Sequence, residues 1–178
     1  MNHAKYFLTL TLSLPLMGLA QHTITEADGS FTGLGHARSH DFPLDAEIFT
    51  IKLGESDTTG YRDVHVEVSV NDLHTGNNMR DAHMRMSLLD RKKHPMILFH
   101  SRFMLPELVA GTVEMPGTLT INGIAKDYTF VMDLKSKDGS WHAQGTFKII
   151  PTDFELPLVG MGPMKLQDHV DLELDVTF

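Results

Sequence analysis

The chain contains no cysteine. A disulfide framework, a thiol nucleophile and a lipid-modified N-terminal cysteine are therefore excluded, and stability has to come from a packed core. Basic residues are scarce: 15 Lys and Arg stand against 23 Asp and Glu, a formal net charge of −8. An acidic surface argues against nucleic acid and anionic lipid headgroups as partners. Long apolar runs are missing except at residues 7–19, and that run contains Pro15. A spanning helix needs roughly 20 apolar residues, more than this run supplies. Neither a G-x-S-x-G elbow, an H-E-x-x-H pair nor a glycine-rich phosphate loop occurs.

What is present begins with that apolar run. Lys5 precedes it, and Gly18-Leu19-Ala20 places small residues at −3 and −1 of a cleavage point before Gln21. This is the pattern of a secretory signal peptide, so residues 1–20 are expected to be removed on export. Cleavage would take away Lys5, the one charged residue of the segment, and make the mature chain more acidic. No Pro/Ser-rich linker or low-complexity tract divides residues 21–178, a length that suits one domain with a sizeable core.

Period-two patterns dominate that domain. Val64, Val66, Val68 and Val70 alternate with His65, Glu67 and Ser69. Ile97, Phe99, Ser101 and Phe103 alternate with Leu98, His100 and Arg102, and Leu172, Leu174, Val176 and Phe178 alternate with Asp171, Glu173, Asp175 and Thr177. Such runs are half-buried strands with one apolar face. Asn122-Gly123 and Asp138-Gly139 are hairpin turns, since these residues tolerate positive φ. Pro116-Gly117 marks a bulge or an edge. About eight strands result. Closing them into an antiparallel barrel gives the apolar faces one interior and removes exposed edges. A two-sheet sandwich is the alternative. An eight-stranded barrel is either filled by side chains or just wide enough for one ligand, and alternation does not separate the two cases.

One stretch breaks the period. Asn77 or Asn78 can cap a helix, and Met79, His83 and Met86 recur at near-helical spacing with Leu89 beyond them. The basic turn Arg91-Lys92-Lys93 follows. A short helix over about 77–90 is expected to close one end of the barrel, with Met79, Met86 and Leu89 directed inward.

An ordered set of motifs resembles the YceI-like family. It comprises Asn78-x-Arg80-Asp81-x-His83, Leu88-Leu89-Asp90 and His94-Pro95-x-Ile97-x-Phe99-x-Ser101, then the hairpin Gly117-Thr118-Leu119-Thr120-Ile121-Asn122-Gly123-Ile124-Ala125-Lys126. Thr152-Asp153-Phe154 and Asp168-x-Val170-x-Leu172-x-Leu174 complete it, and Ala37-Arg38-Ser39-His40-Asp41-Phe42 is similar to one family variant. The family's Asn-Arg before the Asp-Phe pair is replaced here by Ile150-Pro151-Thr152, and the following glycine by Glu155. The resemblance implies an all-β, lipocalin-like eight-stranded barrel in the bacterial periplasm. It also implies a polyisoprenoid, an isoprenoid quinone or a fatty amide held inside, and a homodimer as the assembly found for several members.

Under that reading the ligand-binding residues are Val64, Val66, Val68, Met79, Met86, Leu89, Phe99, Leu119, Ile121, Phe130, Met132, Phe147, Ile149, Leu172 and Leu174. Met side chains adapt to a sinuous chain, and each buried methylene contributes roughly 0.8 kcal/mol. The plainer reading is that these residues fill the interior. Arg80 and Asp81 are either headgroup or lid contacts at the mouth, or an ion pair that fixes the helix. The expected protein has no catalytic residue, no metal and no cofactor beyond a bound isoprenoid lipid or quinone. Two other functions compete with this one. Ten mature-chain histidines and two Met pairs, Met84/Met86 and Met161/Met164, suit a metal- or haem-associated redox accessory. A lipid-modifying enzyme is the second: Ser39-His40-Asp41 has the letters of a triad, but adjacent side chains of an extended chain point to opposite faces.

Overall fold

A computed structural model of the chain describes residues 21–178. The expected signal peptide, residues 1–20, lies outside the described residues. Twelve strands form one antiparallel sheet. In chain order they are β1 (Gln21–Thr25), β2 (Gly29–Ala37), β3 (Asp41–Pro43), β4 (Asp45–Ala46), β5 (Phe49–Gly54) and β6 (Tyr61–Ser69). There follow β7 (Leu73–His74), β8 (Met96–Met104), β9 (Gly111–Ile121), β10 (Ile124–Lys137), β11 (Ser140–Ile149) and β12 (Leu166–Thr177). The sheet runs β1-β5-β6-β8-β9-β10-β11-β12-β2-β4-β7, with β3 paired to β2.

Twelve strands therefore replace the eight expected. The difference arises where long paths bend. A turn at residues 26–28 separates β1 from β2, with the Asp28 carboxylate accepting the Thr25 amide at 2.8 Å. Before it Thr25 pairs with Thr50, and after it Phe31 pairs with Ala46, a register shifted by two residues. Glu47 and Ile48 separate β4 from β5 in the same way, and a 3₁₀ turn over Val70–Asp72 separates β6 from β7. β1 and β2 lie far apart in the strand order although only three residues join them. The sheet must therefore curl back on itself.

The two ends of the curled sheet differ. At one, short connections over 55–60, 105–110 and 138–139 join consecutive strands. Leu53, Val64, Phe103, Leu134, Ala143 and Val176 are buried there in direct cross-strand contact or in the row below it. Arg62 joins them, 7% exposed, and donates to the carbonyls of Gly54 (2.7 Å) and Leu105 (3.4 Å). At the opposite end long connections over 38–48, 70–95 and 150–165 cover the opening.

Both expected hairpins form, with Asn122 and Gly123 at φ 52° and 76°, and Asp138 and Gly139 at 52° and 85°. Pro116 lies inside β9, opposite Thr129 of β10. Pairing of β9 to β8 stops at Gly117, where proline offers no amide. The Pro116 carbonyl accepts instead the buried Ser101 hydroxyl at 2.7 Å.

The helix is shorter than the span 77–90 and changes type. Asn77 caps it, accepting the amides of Met79 (3.0 Å) and Arg80 (3.1 Å). An α-helix α1 (Asn78–His83) then widens into a π turn over Met84–Leu88, closed by the Leu89 amide on the Met84 carbonyl at 2.9 Å. A π turn carries an extra residue and advances every later side chain out of α-helical phase.

Candidate functional site

Between the filled end and the covering connections lies a cavity of about 840 Å³. Its wall is built by strand alternation. Val66 and Val68 of β6, Ile97 and Phe99 of β8, and Leu119 and Ile121 of β9 supply one side. Phe130 and Met132 of β10, Phe147 and Ile149 of β11, and Leu172 and Leu174 of β12 supply the other. Phe130 sits between Phe99 and Phe147, with ring centroids 4.6 Å away on each side. Gly35 of β2 also lines the wall, where the Phe42 ring packs so close that a Cβ would meet it at 2.3 Å.

All of these strand residues were among those expected except Ile97 and Gly35. Leu89 also lines the cavity and is 6% exposed. Two expectations fail, and a third holds only at the rim. Val64 is buried, but in the filled end next to Arg62 rather than on the cavity wall. Met86 is 58% exposed and turns to the outer groove beside Asp81 and Arg85. Met79 reaches only the rim and is 83% exposed. The error at Met86 comes from the π turn: Met84 at its start and Leu88 and Leu89 at its end face the cavity, and Met86 between them does not.

At the mouth, Arg80 is the charged side chain nearest the apolar interior. Its guanidinium lies 4.2 Å above the Phe42 ring and donates to the Thr75 hydroxyl (2.8 Å) and carbonyl (2.5 Å). Asp81 points the other way, is 4% exposed, and does not line the cavity. It accepts the Thr75 amide at 2.8 Å and the Thr75 hydroxyl at 2.5 Å, with Arg85 at 3.8 Å and His74 at 3.6 Å. Burial alone would raise its carboxyl, but the two Thr75 donors, with Arg85 and His74, hold it below the usual carboxylate range. Arg85 completes the clasp by donating to the Leu73 carbonyl. Arg80 and Asp81 thus share one threonine and moor α1 to the end of β7.

Several lining residues escaped the pattern. Phe42 and Leu44 come from the connection that holds β3, and Leu156, Leu158 and Val159 from the long connection before β12. Leu156-Pro157-Leu158-Val159-Gly160 is apolar without any period, and that apolarity outside a strand was the available signal. His40, His83, Asn77 and Met164 add polar and soft groups at the rim.

Two histidine groups lie on the outer face. His65 and His100 stack with centroids 4.3 Å apart, directly opposite across β6 and β8, with Asp63 beside them. His36 and His169 stack at 4.4 Å, and His36 bridges Asp41 (2.7 Å) and Asp171 (2.9 Å). Asp41, ahead of an opposing desolvation, and then Asp171 raise His36 above its ordinary value. Ser39 and His40 do not point to opposite faces, since a bend brings Oγ and Nδ1 to 3.0 Å. Asp41 is engaged by His36 instead, so Ser39, His40 and Asp41 form no relay.

The family model of the YceI-like domain matches residues 17–178. The chain belongs to the YceI-like family. Solved structures similar to this YceI-like chain include BcnA of Burkholderia cenocepacia, with a TM-score of 0.72 at 15% identity over 87% of this chain and 99% of that one. A polyisoprenoid binding domain from Saccharophagus degradans implicated in plant cell wall breakdown matches at 0.72 and 14%, over 90% and 98%. A YceI protein of Campylobacter jejuni matches at 0.52 and 17%, over 99% and 92%. These likenesses concern the fold. No curated protein matches the sequence. No helix of the described residues is long and apolar enough to cross a membrane.

Proposed function

We propose that this YceI-like protein is a non-catalytic carrier that encloses the tail of a long amphiphilic lipid: a polyisoprenoid, an isoprenoid quinone or a fatty amide. The observation that carries this reading is the cavity of about 840 Å³ walled by aliphatic and aromatic side chains, with Arg80 at its mouth. Its size falls in the range of about 300–1,000 Å³ typical of small-molecule sites. Ten buried methylenes would contribute about 8 kcal/mol without any polar specificity. Methionines 84, 115 and 132 on the wall give it the compliance a kinked tail needs. The structural neighbour from Saccharophagus degradans, described as a polyisoprenoid binding domain, supports the same ligand class.

In this proposal the curled sheet works as a closed lipocalin-like barrel. β1 with β2, β4 with β5, and β6 with β7 act as single bent staves, and the clasped helix covers the mouth. The protein would work in the periplasm after loss of residues 1–20, as a monomer or a homodimer. Ser39, His40 and Asp41 offer no relay for a lipid-modifying reaction, since Asp41 is bonded to His36.

Titration of delipidated protein with a polyprenyl or quinone ligand tests the proposal. Saturable uptake at one ligand per chain is expected, and Phe130→Glu should weaken it at least a hundredfold by placing a charge on the apolar wall. Equal uptake by the Phe130→Glu protein would overturn the reading.

A further inference from the structure

The outer wall where β2, β3 and β12 meet carries a group that the lipid site does not use. Gly35 and Ala37 face the cavity, so His36 between them faces outward. Val170 and Leu172 likewise face the cavity, which turns His169 and Asp171 to the same outer surface. The pairs Leu34↔Asp171 and Gly35↔Val170 bring the three together, just before an irregularity between Val170 and Leu166. Side-chain ligand atoms of His36, His169 and Asp171 all lie within 4.8 Å of one another, and all three residues are half-buried.

We propose that His36, His169 and Asp171 bind a divalent transition-metal ion of the Zn²⁺, Ni²⁺ or Cu²⁺ class, with Asp41 orienting His36. Two imidazoles and one carboxylate are a donor set for these borderline ions, leaving a position for water. Asp41 supplies a second, independent feature. Metal-ligating histidines commonly donate their other ring N–H to a carboxylate, which fixes the tautomer and the ring. His36 Nδ1 lies 2.7 Å from Asp41 Oδ1 in that role, and Nε2 faces Asp171 Oδ2 at 2.9 Å. Two ligands at about 2.1 Å in tetrahedral geometry sit roughly 3.4 Å apart. Opening that gap by about half an ångström, with the His169 ring swinging out of its 4.4 Å stack on His36 to turn a nitrogen inward, admits the ion. Lys148 stands 3.6 Å from the other oxygen of Asp171, so at Oδ2 the ion would displace the His36 contact and not the lysine.

The second histidine group is a weaker candidate and serves as the control. Asp63 there is already shared with Arg102 at 3.4 Å, and neither His65 nor His100 has a further carboxylate on its other nitrogen among the described residues. The competing view of the first group is that a proton does the work of the metal, with a cationic His36 clamped between two carboxylates.

Calorimetric titration of the chelator-treated full chain with Zn²⁺ separates these views. One saturable site per chain is expected. His169→Ala and Asp171→Asn should each weaken it at least tenfold, and Asp41→Asn by about 10- to 100-fold, while His65→Ala leaves it unchanged. Electron paramagnetic resonance with one equivalent of Cu²⁺ should show two imidazole nitrogens in the unaltered protein and one in His169→Ala. The spectrum of the unaltered protein stands even if a variant fails to fold. Absence of saturable Zn²⁺ binding, binding unaffected by both His169→Ala and Asp171→Asn, or binding lost in His65→Ala would overturn the proposal. Lipid uptake is measured separately, so neither result decides the other.

Discussion

The two ends of the curled sheet are built from the same alternating strands and come out differently. At one end Leu53, Val64, Phe103, Leu134, Ala143 and Val176 pack solid around Arg62. At the other Val66, Phe99, Phe130 and Leu172, two to four residues along the same strands, leave a void of about 840 Å³. Hydrophobicity does not distinguish them. The ends differ in their connections: at the filled end none joining consecutive strands exceeds six residues, whereas at the other end three long connections, beside the Asn122-Gly123 turn, roof the space. Whether the interior is filled or hollow therefore has a divided answer.

Substitutions at the two ends test that contrast. The largest effect is expected for Phe103→Ala, which opens a new hole in the filled end and should cost about 3–5 kcal/mol in chemical denaturation. Phe130→Ala should cost less, because it enlarges an existing void. Equal costs would mean that the cavity wall is as tightly supported as the filled end. Adding volume reverses the asymmetry. Ala143→Leu should destabilise by about 1–3 kcal/mol through overpacking, whereas Val66→Phe should leave stability nearly unchanged and displace ligand.

The helix clasp comes next in size. Asp81→Ala leaves the Thr75 amide and hydroxyl without their acceptor and should cost about 1–3 kcal/mol, with faster hydrogen exchange over residues 75–90. The pH dependence has a definite sign. The folded Asp81 carboxyl is held below its unfolded value of about 3.9. Its contribution is complete above that value and is lost as pH falls through the folded one. Acid should thus free α1 before it melts the strands, and simultaneous loss would contradict the clasp.

The smallest effect belongs to Asp57, in the turn at the filled end. The Thr59 hydroxyl, then the Tyr61 amide, the Thr59 amide and Arg102 hold it at about 2. Asp57→Asn should loosen the turn without touching ligand uptake, and the wild-type contribution should fade only as pH drops from about 4 toward 2. A change in lipid binding on this substitution would show that the two ends communicate.

Much of this was legible in the residues because period-two alternation and hairpin turns are local. Val64 to Val68, Leu172 to Val176, Asn122-Gly123 and Asp138-Gly139 behave as their patterns require. The two-residue strands β4 and β7 are too short to carry any period, so the bent paths were counted as fewer strands. Met86 falls outside the cavity because a π turn cannot be read from spacing that assumes 3.6 residues per turn, whereas Met79 stands ahead of that turn, in the first turn of α1 at the rim. Nothing near His36 in the sequence points to His169, on which the fold stacks it from the other end of the chain. Contacts of that kind are set by strand register and leave no mark in local sequence.

The central claim is that the hollow end holds an apolar tail. Organic extraction and mass spectrometry of natively purified protein test it most directly. The account predicts a copurifying isoprenoid or long-chain lipid at close to one per chain, reduced in Val66→Phe and retained in Asp57→Asn. Protein that carries no lipid and takes none up after exposure to isoprenoid extracts would contradict it.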